Sequence, residues 1–101
     1  MSNTYDVGDR VVLIAQFEDR YGTSNDPDTV ACKVKFPDGT VTTYLYETSI
    51  ELMRTALGRY ELELDVTMYG KHYYYWYSTG LGRAAGENFF EVRKSSVLEV
   101  V

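Results

Sequence analysis

Cysteine and histidine are almost missing from this 101-residue sequence, which holds one of each. A single thiol, Cys32, cannot form an internal disulfide, so no oxidising compartment is required. A nucleophilic catalytic arrangement could draw only on Cys32 and His72, with no obvious orienting acid. No apolar run approaches the length that spans a bilayer. The opening residues Met-Ser-Asn-Thr-Tyr-Asp lack the basic and apolar regions of a signal peptide, which predicts synthesis and folding in a cytoplasm. Clustered Lys and Arg are also lacking. The net charge is −5 and the pI about 4.7, which argues against nucleic acid and anionic membranes as direct partners. A basic or mixed-charge protein surface is easier to accommodate. Repeats, low-complexity stretches and dividing linkers are absent too.

Aromatic residues are plentiful, at 15% of the chain, and ten of them are tyrosine. Tyrosine favours strands. It also favours interfaces, because it joins a large apolar body to a polar tip with few rotors. The length suits one domain with one two-layer core.

The aromatic density peaks in Tyr69–Thr79. With a period of two, His72, Tyr74 and Trp76 fall on one face and Tyr73, Tyr75 and Tyr77 on the other. One aromatic face can fill the core. The second has no intramolecular role if the sheet is open to water on that side.

The same alternation runs through much of the chain. In Arg10–Glu18, Val11, Leu13, Ala15 and Phe17 face inward, leaving Val12, Ile14 and Gln16 outside. Val12 and Ile14 then form a second apolar patch or lie under the chain's own terminal arm. Asp19–Asp28 reads as a loop. Thr29–Phe36 places Val30, Cys32, Val34 and Phe36 inside, with Ala31, Lys33 and Lys35 outside. Pro37-Asp38-Gly39 predicts a tight turn into the strand Thr40–Tyr46. Thr48–Leu57 is ambiguous: Ile50, Met53 and Leu57 have helical spacing, yet strands on both sides favour a short edge strand. Arg59–Val66 alternates cleanly, with Tyr60, Leu62, Leu64 and Val66 inward. Ser78–Gly86 is a loop and Glu87–Arg93 the last strand. The expected fold is an all-β sandwich of about seven antiparallel strands over residues 1–93. Residues 94–101 form a tail ending in Val-Leu-Glu-Val-Val, expected to order only against a neighbour in an assembly.

Several motifs together resemble the small immunoglobulin-like domains of bacteria and phages. They are Asp6-Val7-Gly8-Asp9-Arg10-Val11, Pro37-Asp38-Gly39-Thr40, Gly58-Arg59-Tyr60, Gly70 followed by His72, Tyr74 and Trp76, and Gly86-Glu87-Asn88-Phe89-Phe90-Glu91-Val92. The resemblance covers about residues 5–93. It implies an immunoglobulin-like sandwich in which the Tyr60 hydroxyl ties down backbone at a corner. His72 stands where these domains often carry an inward Trp. Domains of this kind found alone, as short acidic proteins, are typical of tailed-phage structural genes.

Other chemistry is outweighed by simpler readings. Cys32 and His72 fit as core residues. Asp19, Asn25, Asp26 and Asp28 lack the spacing of a calcium loop and suit turns. The run Gly80-Leu-Gly82-Arg-Ala-Ala-Gly86 joins two strands, not the strand and helix of a dinucleotide site. Glu61, Glu63 and Asp65 alternate with core residues as a solvated strand face. No catalytic residue, metal or cofactor is therefore expected. The expected partner-binding residues are Tyr73, Tyr75, Tyr77, Val12 and Ile14. The resemblance implies a non-enzymatic virion protein, foremost a capsid decoration protein on the major capsid lattice, with self-association among virion subunits allowed. A head–tail neck or tail component and a carbohydrate-binding adhesion module are the alternatives.

Overall fold

The computed structural model describes residues 4–79 and 86–93, with the side chains of residues 86 and 87 outside that description. The tail at 94–101 and most of the 78–86 loop therefore lie beyond the described residues. The described chain forms β1 (Thr4–Asp6), β2 (Arg10–Gln16), β3 (Thr29–Lys35), β4 (Val41–Leu45), β5 (Leu52–Ala56), β6 (Arg59–Asp65), β7 (Gly70–Thr79) and β8 (Gly86–Arg93). Five strands make one sheet, in the order β1-β8-β7-β3-β4. Three make the other, in the order β2-β6-β5. The two sheets pack as a sandwich, and no helix occurs among the described residues.

The core is built from the inward halves of the alternating strands. Val11, Leu13 and Phe17 from the β2 region meet Tyr60, Leu62, Leu64 and Val66 from β6 and its end. Val30, Cys32, Val34, Trp76, Phe90 and Val92 come from the opposite sheet. The β2–β6 register is unbroken from Arg10↔Asp65 to Gln16↔Arg59, so every inward residue of one strand sits beside an inward residue of the other. A slip of one residue would turn both apolar rows to water. The turn after β3 forms as expected: Gly39 takes φ +92°, and the Phe36 amide donates to the Thr40 carbonyl at 2.8 Å.

Two expectations need correction. The first expected strand begins at Arg10, yet the residues before Val7 contain β1, which pairs in parallel with β8. Three residues are too few to show a period. The anchor is the half-buried Tyr5, whose ring meets Phe90 edge-on at 5.6 Å. The eight strands are thus not all antiparallel. Ala31, assigned to the outside, is buried, because its small side chain lies in register between Leu45 and Tyr77. Phe36 faces inward as expected, half-buried against the core just beyond β3, with its ring edge-on to His72 at 5.5 Å. Of the two alternatives for Val12 and Ile14, the apolar patch is the one found among the described residues: β1 joins the other sheet, and both aliphatics are exposed. The ambiguous stretch resolves as strand β5, with Ile50 and Leu57 exposed instead of lining a helix.

Candidate functional site

Strand β7 lies between β8 and β3, near the middle of the larger sheet. Its inward residues His72 and Trp76 are buried, and Tyr74 is partly buried. Its outward residues Tyr73 and Tyr75 are 42% and 37% exposed, and Tyr77 is intermediate. The register extends this face sideways. Tyr73 pairs with Phe89 on β8 and Lys35 on β3, and Tyr75 pairs with Lys33.

The rings form two groups. Tyr73 and Phe89 lie 6.4 Å apart and tilted, while Tyr75 and Tyr77 are nearly parallel at 5.9 Å. Lysine ammonium groups cap both: Lys33 sits 5.8 Å from the Tyr77 ring and Lys71 sits 4.6 Å from the Phe89 ring. Such contacts hold a cation over aromatic area without removing it from water. An open cleft of about 460 Å³ runs over this surface, lined by Lys33, Lys35, Val41, Tyr73, Tyr74 and Tyr75. The face offers apolar area, phenol hydroxyls and positive charge.

Of the expected partner-binding residues, Tyr73, Tyr75 and Tyr77 come together. Val12 and Ile14 do not join them. They project from the outer face of the other sheet, on the far side of the sandwich. Phe89 and the three lysines were absent from the expected site. Their signal was legible, since Phe89 and Lys33/Lys35 have outward parity on the strands flanking β7.

The remaining candidates have structural roles. Cys32 is fully buried opposite Trp76, and burial pushes its thiol up to about 12. A bulky maleimide should therefore label the folded protein slowly and the unfolded chain fast; rapid native labelling by mass spectrometry would contradict this burial. His72 is sealed in the core, stacked on Phe90 at 4.7 Å, with Nδ1 3.3 Å from the Gly70 carbonyl oxygen. Burial lowers its pKa from 6.5, partly opposed by that carbonyl. The folded state thus binds fewer protons than the unfolded chain just below pH 6.5. The contribution of neutral His72 is complete above that value. It is lost as pH falls toward the depressed folded pKa. Melts at about pH 7.5 and about pH 5.5 should show this acid-side loss, and His72→Phe should flatten it; an unchanged slope would rule the imidazole out as its source.

Asp26 anchors the 19–28 loop. Its Oδ2 pairs with Arg54 at 3.0 Å, and its Oδ1 accepts from the Gly58 amide at 2.7 Å and the Tyr60 hydroxyl at 3.4 Å. These partners, Arg54 foremost, hold its pKa below the usual carboxylate value. Asp19 accepts from the amides of Tyr21 and Thr23, closing its own turn. Among the described residues, no group of three or more His, Cys, Asp or Glu side chains is placed to hold a metal. Glu61, Glu63 and Asp65 pair with Arg59 and Arg10 along a strand face. In comparisons with known proteins, no family model and no curated protein matches the chain.

Proposed function

We propose that the protein is a non-enzymatic structural module that docks onto a protein surface through Tyr73, Tyr75, Tyr77 and Phe89. The carrying observation is that these rings, with three lysines around them, stay outside the core on a sheet face open among the described residues. Rigid amphipathic rings at low entropy cost are the side chains that become hot spots when an interface covers them. The sequence resemblance supplies the setting: a virion protein decorating a capsid lattice. The strand order supports an immunoglobulin-like reading, because β2-β6-β5 and β8-β7-β3 follow the B-E-D and G-F-C strands of that architecture, with β4 added at one edge. One departure is that the Tyr60 hydroxyl meets the Asp26 carboxylate instead of backbone.

Replacing Tyr73, Tyr75 and Tyr77 together with serine should cost the fold only about 1–2 kcal/mol, the loss of strand propensity and partial burial. Binding to purified capsids of the cognate particle should fall at least about tenfold, equivalent to about 1.4 kcal/mol. A melt and a co-sedimentation assay read the two effects. Unfolding of the variant would mean the face is internal. Undiminished co-sedimentation of a folded variant would remove the face from the interface. Retention on a glycan array, lost in the same variant, would favour the carbohydrate reading.

A further inference from the structure

The two outer faces of the sandwich carry opposite charge. On the larger sheet, Lys33, Lys35 and Lys71 surround the tyrosines. Three of the four lysines in a chain of net charge −5 therefore project from one face. Glu91 stands across from Lys71, Arg93 is matched by Asp6, and Glu87 takes the register position beside Tyr75 in the row of Lys33, so basic residues at the outer positions exceed acidic ones by one, with Lys33 and Lys35 beside the rings. On the smaller sheet, the carboxylates of Glu61, Glu63 and Asp65 outnumber the guanidinium groups of Arg10 and Arg59. Between these charges lie exposed Val12 and Ile14 on β2 and Met53 on β5, beside Glu63 and Glu61 in register.

Each face supplies what the other lacks. One offers aromatic rings edged by ammonium groups. The other offers branched aliphatic side chains edged by carboxylates. We propose that, for the free protein in solution away from any lattice, the occupant of the tyrosine face is a second copy of this chain, presenting its Val12/Ile14/Glu61/Glu63 face, so that sandwiches stack head to tail. This names the partner of the docking face described above and rests on that reading. The contact joins two different surfaces, so each copy keeps one face free, and the series grows until it closes or runs on. Like-with-like stacking is disfavoured because it would bring lysines against lysines or carboxylates against carboxylates.

Sedimentation velocity on the full chain tests this. The weight-average mass should rise above the 11.6 kDa of one chain as concentration is raised about a hundredfold. It should fall back as salt shortens the screening length. Two variants then separate the faces. Y73S/Y75S/Y77S spoils the aromatic face and keeps the aliphatic one. V12K/I14K places positive charge on the aliphatic face and keeps the aromatic one. Each alone should remain a monomer that still unfolds cooperatively, the tyrosine variant at the lower midpoint that its loss of about 1–2 kcal/mol implies. Mixed, they retain one compatible junction between them and should form a discrete dimer of twice the chain mass that grows no further. A wild type that stays monomeric throughout would overturn head-to-tail stacking while leaving docking onto a foreign protein to the capsid assay. Association of either variant alone, or no dimer on mixing, would also overturn it.

Discussion

Replacing Gly58 with alanine should destabilise the protein by about 3 kcal/mol or more. Gly58 turns the chain from β5 into β6 with φ +71°, in the left-handed region. An L side chain there costs about 1–2 kcal/mol before any contact is counted. A Cβ at this position would stand 2.5 Å from the Phe17 carbonyl oxygen and 3.0 Å from backbone atoms of Asn25. Backbone cannot swing aside as a side chain can. Relief requires moving a junction in which Phe17 donates to the Gly58 carbonyl at 2.7 Å and Asn25 donates to the Phe17 carbonyl at 3.1 Å. Weakening those two bonds costs about 0.5–1.5 kcal/mol each. The 2.7 Å bond from the Gly58 amide to Asp26 would be disturbed by the same shift. Urea unfolding reads the loss as a lower midpoint at constant slope. A cost under about 1 kcal/mol would mean that this junction yields freely, contrary to its packing.

Trp76→Ala should cost about 3–5 kcal/mol, the usual range for a buried aromatic. Trp76 is only 6% exposed and sits in register with Cys32 across β3, in the middle of the larger sheet. Its indole Nε1 has no hydrogen-bond partner among the described residues. The ring therefore contributes through apolar area and packing, against the cost of a desolvated donor. A second substitution isolates that balance. Trp76→Phe keeps most of the ring and removes the unpaired donor, so its cost should stay under about 1.5 kcal/mol. Equal losses in the two variants would assign Trp76 a polar role that the packing does not support.

Much of this architecture is legible in the sequence because it rests on alternation. Tyr60, Leu62 and Leu64 point inward between Glu61, Glu63 and Asp65 because one face of an antiparallel sheet packs and the other is wet. The same rule separates His72 and Trp76 from Tyr73 and Tyr75. What escapes the rule lies in contacts between distant segments. Asp26 reads as an ordinary turn residue, yet it reaches Arg54, Gly58 and Tyr60 from 28 to 34 positions away. Tyr5 belongs to a strand too short to announce itself. Ala31 has outward parity but is small, and register alone decides that it is shaded. The candidate site was half visible for the same reason. Its tyrosines occupy one strand, whereas Phe89 and the lysines join them only once the order β8-β7-β3 is known.

The parallel pairing of β1 with β8 has a mechanical consequence. The chain enters β1 at Thr4, beside Glu91, and leaves β8 at Arg93, beside Asp6. Tension applied along the backbone across this pair pulls the two strands in opposite directions along their length. Their backbone bonds and the 3.0 Å Arg93–Asp6 ion pair then bear the load side by side and yield together. An antiparallel pair pulled from its open end would unzip one rung at a time. The short first strand thus acts as a shear clasp under any tension applied between Thr4 and Arg93.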